Sequence, residues 1–80
     1  MHELALTYEI VDIVCKAAND RRVHKVTLEI GRLSCVTPEA IEFCFDVVAR
    51  GTLAEGARLE IRQPDGDEFT VTTMEIEEAA

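Results

Sequence analysis

Eighty residues, 48% of them hydrophobic and 30% charged, read as a single domain over residues 1–80 and exclude a chain with two separate cores. Sixteen acidic residues against eight basic ones give a formal net charge of -8, which repels a phosphate backbone and excludes nucleic acid as a partner class. A domain this small buries only about 60 to 65% of its unfolded surface, so extra stability from a homodimer contact is an expectation to test.

The first element is an amphipathic helix over Leu4 to Asn19. Leu4, Tyr8, Val11, Cys15 and Ala18 form an apolar stripe that Leu6, Ile10, Ile13, Val14 and Ala17 widen, while Glu9, Asp12, Lys16 and Asn19 remain polar. Asn19 to Arg22 ends it. A strand follows, in which Val26, Leu28 and Ile30 alternate with Lys25, Thr27 and Glu29 until Gly31 breaks the pattern. Val36-Thr37-Pro38-Glu39 then reads as a helix start. Thr37 suits the cap, Pro38 the first helical position, Glu39 the positive dipole end, and Val36 with Ile41 a hydrophobic staple.

This second helix is predicted over Pro38 to Arg50, ending at Gly51. Ile41, Phe43, Cys44, Phe45, Val47, Val48 and Ala49 make it apolar on nearly every side, which requires it to be sandwiched or to lie at an interface. Ala57, Leu59 and Ile61 alternate with Arg58, Glu60 and Arg62 as a second strand. Pro64-Asp65-Gly66-Asp67 has turn chemistry, and Phe69 to Glu77 forms a third strand. Phe69 and Val71 share one parity and Met74 and Ile76 the other, so a bulge or twist is expected near Thr72.

The resulting fold class is α+β, with two helices packed on one face of a mixed three-stranded sheet in the order αβαββ. The intervening helix permits a parallel pairing of the first two strands, and the short Asp-Gly connection favours a hairpin between the second and third, with pairing of the last strand beside the first as the alternative. The open face would carry Lys25, Thr27 and Glu29 beside Arg58, Glu60 and Arg62, charges able to pair across strands.

The chain contains no nucleophile elbow, phosphate-binding glycine loop or paired-histidine zinc motif, and it reads as a non-enzyme. Cys15, Cys35 and Cys44 form no C-x-x-C pair and are expected to be small buried apolar residues in a reducing compartment. No apolar run reaches the roughly 18 to 20 residues of a membrane span, and Met1 to Leu6 lack the positive charge of a secretory leader, which points to a cytoplasmic protein with no membrane partner.

Chemistry concentrates at the start. Met1-His2-Glu3 places an amine, a peptide nitrogen, an imidazole and a carboxylate within three residues. The amine has an ordinary pKa of about 7.7 to 8, which leaves it available near neutral pH. His2 can close adjoining chelate rings through the amine, its own amide nitrogen and its ring, a nitrogen-rich planar set suited to Ni(II) or Cu(II) rather than tetrahedral zinc. His24, beside Lys25 at a strand start, is a weaker candidate as a second ligand and reads first as an exposed histidine.

Taken together, Met1-His2-Glu3-Leu4-Ala5-Leu6, Lys25-Val26 with Leu28-Glu29-Ile30-Gly31-Arg32-Leu33-Ser34, Pro38-Glu39-Ala40 with Phe43 and Phe45, and Gly51-Thr52 with Ala54-Glu55-Gly56-Ala57 and Leu59-Glu60-Ile61 resemble the HypA/HybF hydrogenase nickel-insertion accessory proteins. The likeness runs from residue 1 to about 63 and resumes over Gly66 to Glu78 as a closing strand. It implies a metallochaperone without enzymatic activity whose Met1, His2 and Glu3 hold Ni(II) for maturation of [NiFe] hydrogenase. The implied partners are the hydrogenase large subunit and a nickel-insertion GTPase, with Glu39 as an auxiliary contact.

In that family a zinc domain with two C-x-x-C pairs separates the last two strands, whereas here only a short turn near 62–67 stands in its place. No zinc is expected. Metal binding is therefore the firmer expectation and delivery the less firm. The alternative is a protein-interaction or scaffold domain that retains the fold without metal delivery, motivated by the two-sided apolar helix.

Overall fold

The computed structural model describes residues 3–77 and contains five elements: α1 (Glu3–Ala18), β1 (Val23–Ile30), α2 (Pro38–Val48), β2 (Arg58–Arg62) and β3 (Phe69–Ile76). The order is αβαββ, as the hydrophobic periodicities require. α1 buries Thr7, Ile10, Val11, Val14 and Ala18 on one stripe, and its Asp12–Lys16 pair (3.0 Å) lies on the exposed side. It stops where Asn19 and Asp20 adopt left-handed φ of 53° and 68°. Asn and Asp tolerate that conformation better than most residues.

β1 begins at Val23, two residues before the predicted alternation, because Val23 is already paired with Ile76 and its N–H donates to the Leu53 carbonyl at 2.9 Å. Val26, Leu28 and Ile30 are completely buried beneath the helices, and Ile41, Phe45 and Ala49 of the second helical segment close the same core. Val36 packs against this cluster too, as the staple with Ile41 requires.

α2 differs from expectation at both ends. Thr37 occupies the cap position, but its side chain makes no capping bond; its carbonyl accepts from Ala40 and Ile41 instead. At the other end the helix stops at Val48, with Ala49 as the C-cap. Nor is α2 sandwiched. Ile41 and Phe45 face the core while Phe43 is 72% exposed and Val47 41%, because the second side of the helix meets no other element among the described residues.

The sheet is mixed, in the order β2-β1-β3. β1 runs parallel to β2, pairing Val26 with Leu59 and Leu28 with Ile61, and antiparallel to β3, pairing Val26 with Met74 and Ile30 with Phe69. The hairpin expected between β2 and β3 therefore does not form. A two-residue Asp-Gly hairpin turn needs positive φ at both central positions, and neither Asp65 nor Gly66 is among the residues with positive φ.

Residues 63–68 instead cross the end of β1. Gly31 N–H donates to the Glu68 carbonyl (2.7 Å), Arg32 N–H to Pro64 (3.0 Å) and Leu33 N–H to Gly66 (2.7 Å). Six residues easily span the ~10 Å between the two edges of a three-stranded sheet. Gly31 makes the crossing feasible, since a Cβ there would collide with the Gly66 carbonyl and lie 2.8 Å from the Asp67 nitrogen.

The predicted irregularity in β3 is a bulge. Thr27 pairs with Thr73 and Leu28 with Val71, so Thr72 is skipped and its hydroxyl donates to the Thr27 carbonyl at 3.2 Å. This single extra residue turns Phe69, Val71, Met74 and Ile76 all toward the core despite their opposite parities. On the open face, Glu60 pairs with Lys25 across strands (3.7 Å), as the charge pattern anticipates, and also with Arg62 of its own strand (3.2 Å).

Candidate metal centre

Both helices start at one end of the molecule, where β1 and β2 finish and β3 begins. Glu3 opens α1, and its carbonyl accepts a 2.7 Å bond from the hydroxyl of fully buried Thr7, which anchors the first helical turn to the core. Met1 and His2, predicted as the principal ligands, lie outside the described residues. Glu39, the second residue of α2, is exposed at the same end of the fold as Glu3.

His24 is at the other end. It lies beyond the C-terminus of α1, whose 16 residues extend about 24 Å, whereas two residues ahead of Glu3 reach at most about 7 Å. His24 therefore cannot join a centre built on Met1-His2-Glu3, and its exposure on β1 matches the plainer reading.

The cysteines are not buried as expected. Cys15 and Cys44 are half-buried at the flanks of their helices, and Cys35 is exposed in a loop at φ 62°. For Cys15 and Cys44, places on the margins of the core stripes rather than at their centres account for this. Among the described residues no group of three or more His, Cys, Asp or Glu side chains is arranged to hold a metal.

Charge is distributed unevenly along the long direction of the fold. Lys16, Arg21, Arg22, Lys25, Arg50 and Arg58 lie toward the end where α1 and α2 finish, leaving only Arg32 and Arg62 at the end where the helices begin. That second end carries Glu3, Glu9, Glu29, Glu39, Glu42, Asp65, Asp67 and Glu68. Glu9 and Asp67 border a shallow crevice of about 340 Å³ between α1 and the loops that follow β1 and β2, lined also by Leu6, Ser34, Val36 and Phe69. The end of the fold that holds Glu3 thus carries a negative field that raises the local concentration of cations. The turn chemistry of Pro64-Asp65-Gly66-Asp67 gives no sign of this placement, because only the crossing of residues 63–68 over β1 brings Asp67 and Glu68 to the end where α1 starts.

The family described as "Hydrogenase/urease nickel incorporation, metallochaperone, hypA" matches residues 1–69. This chain belongs to the HypA family. That family is one of metallochaperones, not enzymes. Curated relatives include the hydrogenase maturation factor HypA of Trichodesmium erythraeum, 61% identical over 76% of this chain and 54% of that protein. That of Geobacter sulfurreducens is 54% identical over 82% of this chain and 60% of its own length. The chain thus spans little more than half the length of these two relatives.

The solution structure of the Ni metallochaperone HypA from Helicobacter pylori superposes with a TM-score of 0.68 over 91% of this chain and 72% of that one, at 17% identity. The fold is therefore shared at this sequence distance. Among the described residues no helix of this HypA-family chain is long and apolar enough to cross a membrane.

Proposed function

We propose that this chain is a nickel-binding metallochaperone module that takes Ni(II) as cargo at its N-terminus and passes it on in the cytoplasm during maturation of [NiFe] hydrogenase. The observation that carries the reading is the family match starting at residue 1, on a chain whose first residues lead directly into the acidic end of the fold. The amine of Met1, the backbone nitrogen and imidazole of His2, and the carboxylate of Glu3 are the donors. The hydrogenase large subunit is the client and a nickel-insertion GTPase the co-acting partner. Residues 63–68 occupy the place of a zinc domain, and the reading includes no zinc.

The local physics suits such a site in a specific way. The positive end of the α1 dipole disfavours a bare dication by a fraction of a unit charge, but the His2 amide nitrogen, which would lose its proton on binding, brings compensating negative charge. Glu3 and the surrounding carboxylates add to that compensation. A site at a chain end also leaves room for a client to reach the metal, which transfer of a cargo ion requires.

Adding Ni(II) to the purified chain should give a planar-type d–d absorption that His2→Ala abolishes. An unchanged spectrum in that variant rejects the site. Acetylating the N-terminus should do comparable damage, since the amine is itself a donor. A second reading, an interaction domain that retains the fold without metal delivery, draws on the exposure of Phe43 and Val47 along α2. The absence of any nickel binding in the unmodified chain would leave that reading alone standing.

A further inference from the structure

β1 is paired on both sides, so the outer edges of β2 and β3 are the two open edges of the sheet. They are protected very differently. An antiparallel pairing of β2 with its own copy, centred on Glu60, would set Glu60 against the partner's Glu60 and Arg58 against the partner's Arg62. Both are like-charge oppositions, which disfavour that register at the β2 edge.

β3 carries no such opposition. Its sequence, Phe-Thr-Val-Thr-Thr-Met-Glu-Ile, reads apolar, polar, apolar, polar and then polar, apolar, polar, apolar, the same pattern in both directions. The Thr72 bulge puts all four apolar residues on the core side. An antiparallel pair with its two-fold between Thr72 and Thr73 would set Phe69 against the partner's Ile76 and Val71 against the partner's Met74. On the open face Thr70 would meet the partner's Glu75. Every opposed pair has its side chains on the same face, as an isologous strand contact demands, and within Phe69–Ile76 no like charges meet.

The helix layer fits the same operation. α1 packs over both β1 and β3, which puts it roughly half a strand spacing to the β1 side of β3 and its two-fold mate ~10 Å away, within the usual helix-packing distance. The flank of α1 turned that way carries Leu6 and Ile13, with Glu9 between them. Ile13 is 55% exposed there and, with Leu6, borders a crevice of about 110 Å³ whose floor is Phe69 and Val71.

We propose that two copies of this chain associate about a two-fold axis through the β3 edges, forming a six-stranded sheet with the two α1 helices side by side. Glu68 and Glu77 flank the strand, and each would face its opposite number at the ends of the pairing. Their repulsion, added to the net charge of -8 on each copy, limits the contact to eight residues and weakens it at low ionic strength.

Sedimentation velocity on the full chain across a wide concentration range tests this, with folding of each variant followed by circular dichroism. A monomer–dimer equilibrium should tighten with added salt and with Glu77→Gln. Thr70→Lys places two ammonium groups against the two Glu75 carboxylates and should tighten the dimer about fivefold. Ile13→Glu changes a side chain already exposed in the single chain, and should loosen the dimer about tenfold or more by desolvating a carboxylate between the helices. Hydrogen exchange should show amides of Thr70–Glu75 gaining protection with concentration while those of β2 do not. A monomer at every concentration, a dimer indifferent to Thr70→Lys and Ile13→Glu, or concentration-dependent protection on β2 instead would each overturn the proposal.

Discussion

Gly31→Ala tests the crossing that makes β1 the central strand. Gly31 has ordinary negative-φ geometry, so the methyl group costs nothing in local backbone strain. Its cost is steric and non-local, because the new Cβ would meet the backbone of Gly66 and Asp67, which has no flexible tip to swing aside. Relief requires residues 63–68 to lift away. That movement lengthens the bonds from Gly31 to Glu68, Arg32 to Pro64 and Leu33 to Gly66.

Losing two or three such bonds at about 1 kcal/mol each destabilises the domain by roughly 2 to 3 kcal/mol, within the range for overpacking a closed site. At about 4 to 8 °C per kcal/mol for a domain of this size, the melting temperature falls by roughly 10 to 20 °C. Gly51→Ala is the control. Gly51 has φ of 77° with open space around it, so alanine there pays only the left-handed backbone penalty of about 1 to 2 kcal/mol. Urea melts of both variants followed by circular dichroism give the comparison. A Gly31→Ala loss below about 0.5 kcal/mol would show that the two loops do not approach as described and would refute the account of why the hairpin fails to form.

The core makes a second, larger demand. Leu28→Ala removes a completely buried side chain between the helices and the middle of the sheet, and should cost about 3 to 5 kcal/mol in urea unfolding; a cost under 1 kcal/mol would mean that β1 is not central. Thiol labelling probes the margins instead. Iodoacetamide on the native chain should modify exposed Cys35 ahead of half-buried Cys15 and Cys44, and equal rates at all three would contradict their placement.

Local sequence determined a large part of this protein. The 3.6-residue stripe of α1, the Thr37-Pro38 entry to α2, the alternations of β1 and β2, and even the bulge in β3 are each written within a few consecutive residues. The bulge was legible because a parity switch at Thr72 has only one way to keep Val71 and Met74 on the same face. The proposed donors rest on the sequence for a different reason: the chelate would use adjacent atoms of Met1-His2-Glu3, so no fold is needed to assemble it.

Tertiary structure decided what depends on distant partners. Asp65-Gly66 has the composition of a hairpin turn, yet the backbone bonds offered by Gly31 to Leu33 draw residues 63–68 across β1, and β3 pairs there instead of beside β2. The same crossing brings Asp67 to the end where α1 begins, and the length of α1 separates His24 from that end. Strand order and the shape of the charge field are sums over contacts far apart in the chain, and no short window of residues contains both members of such a contact.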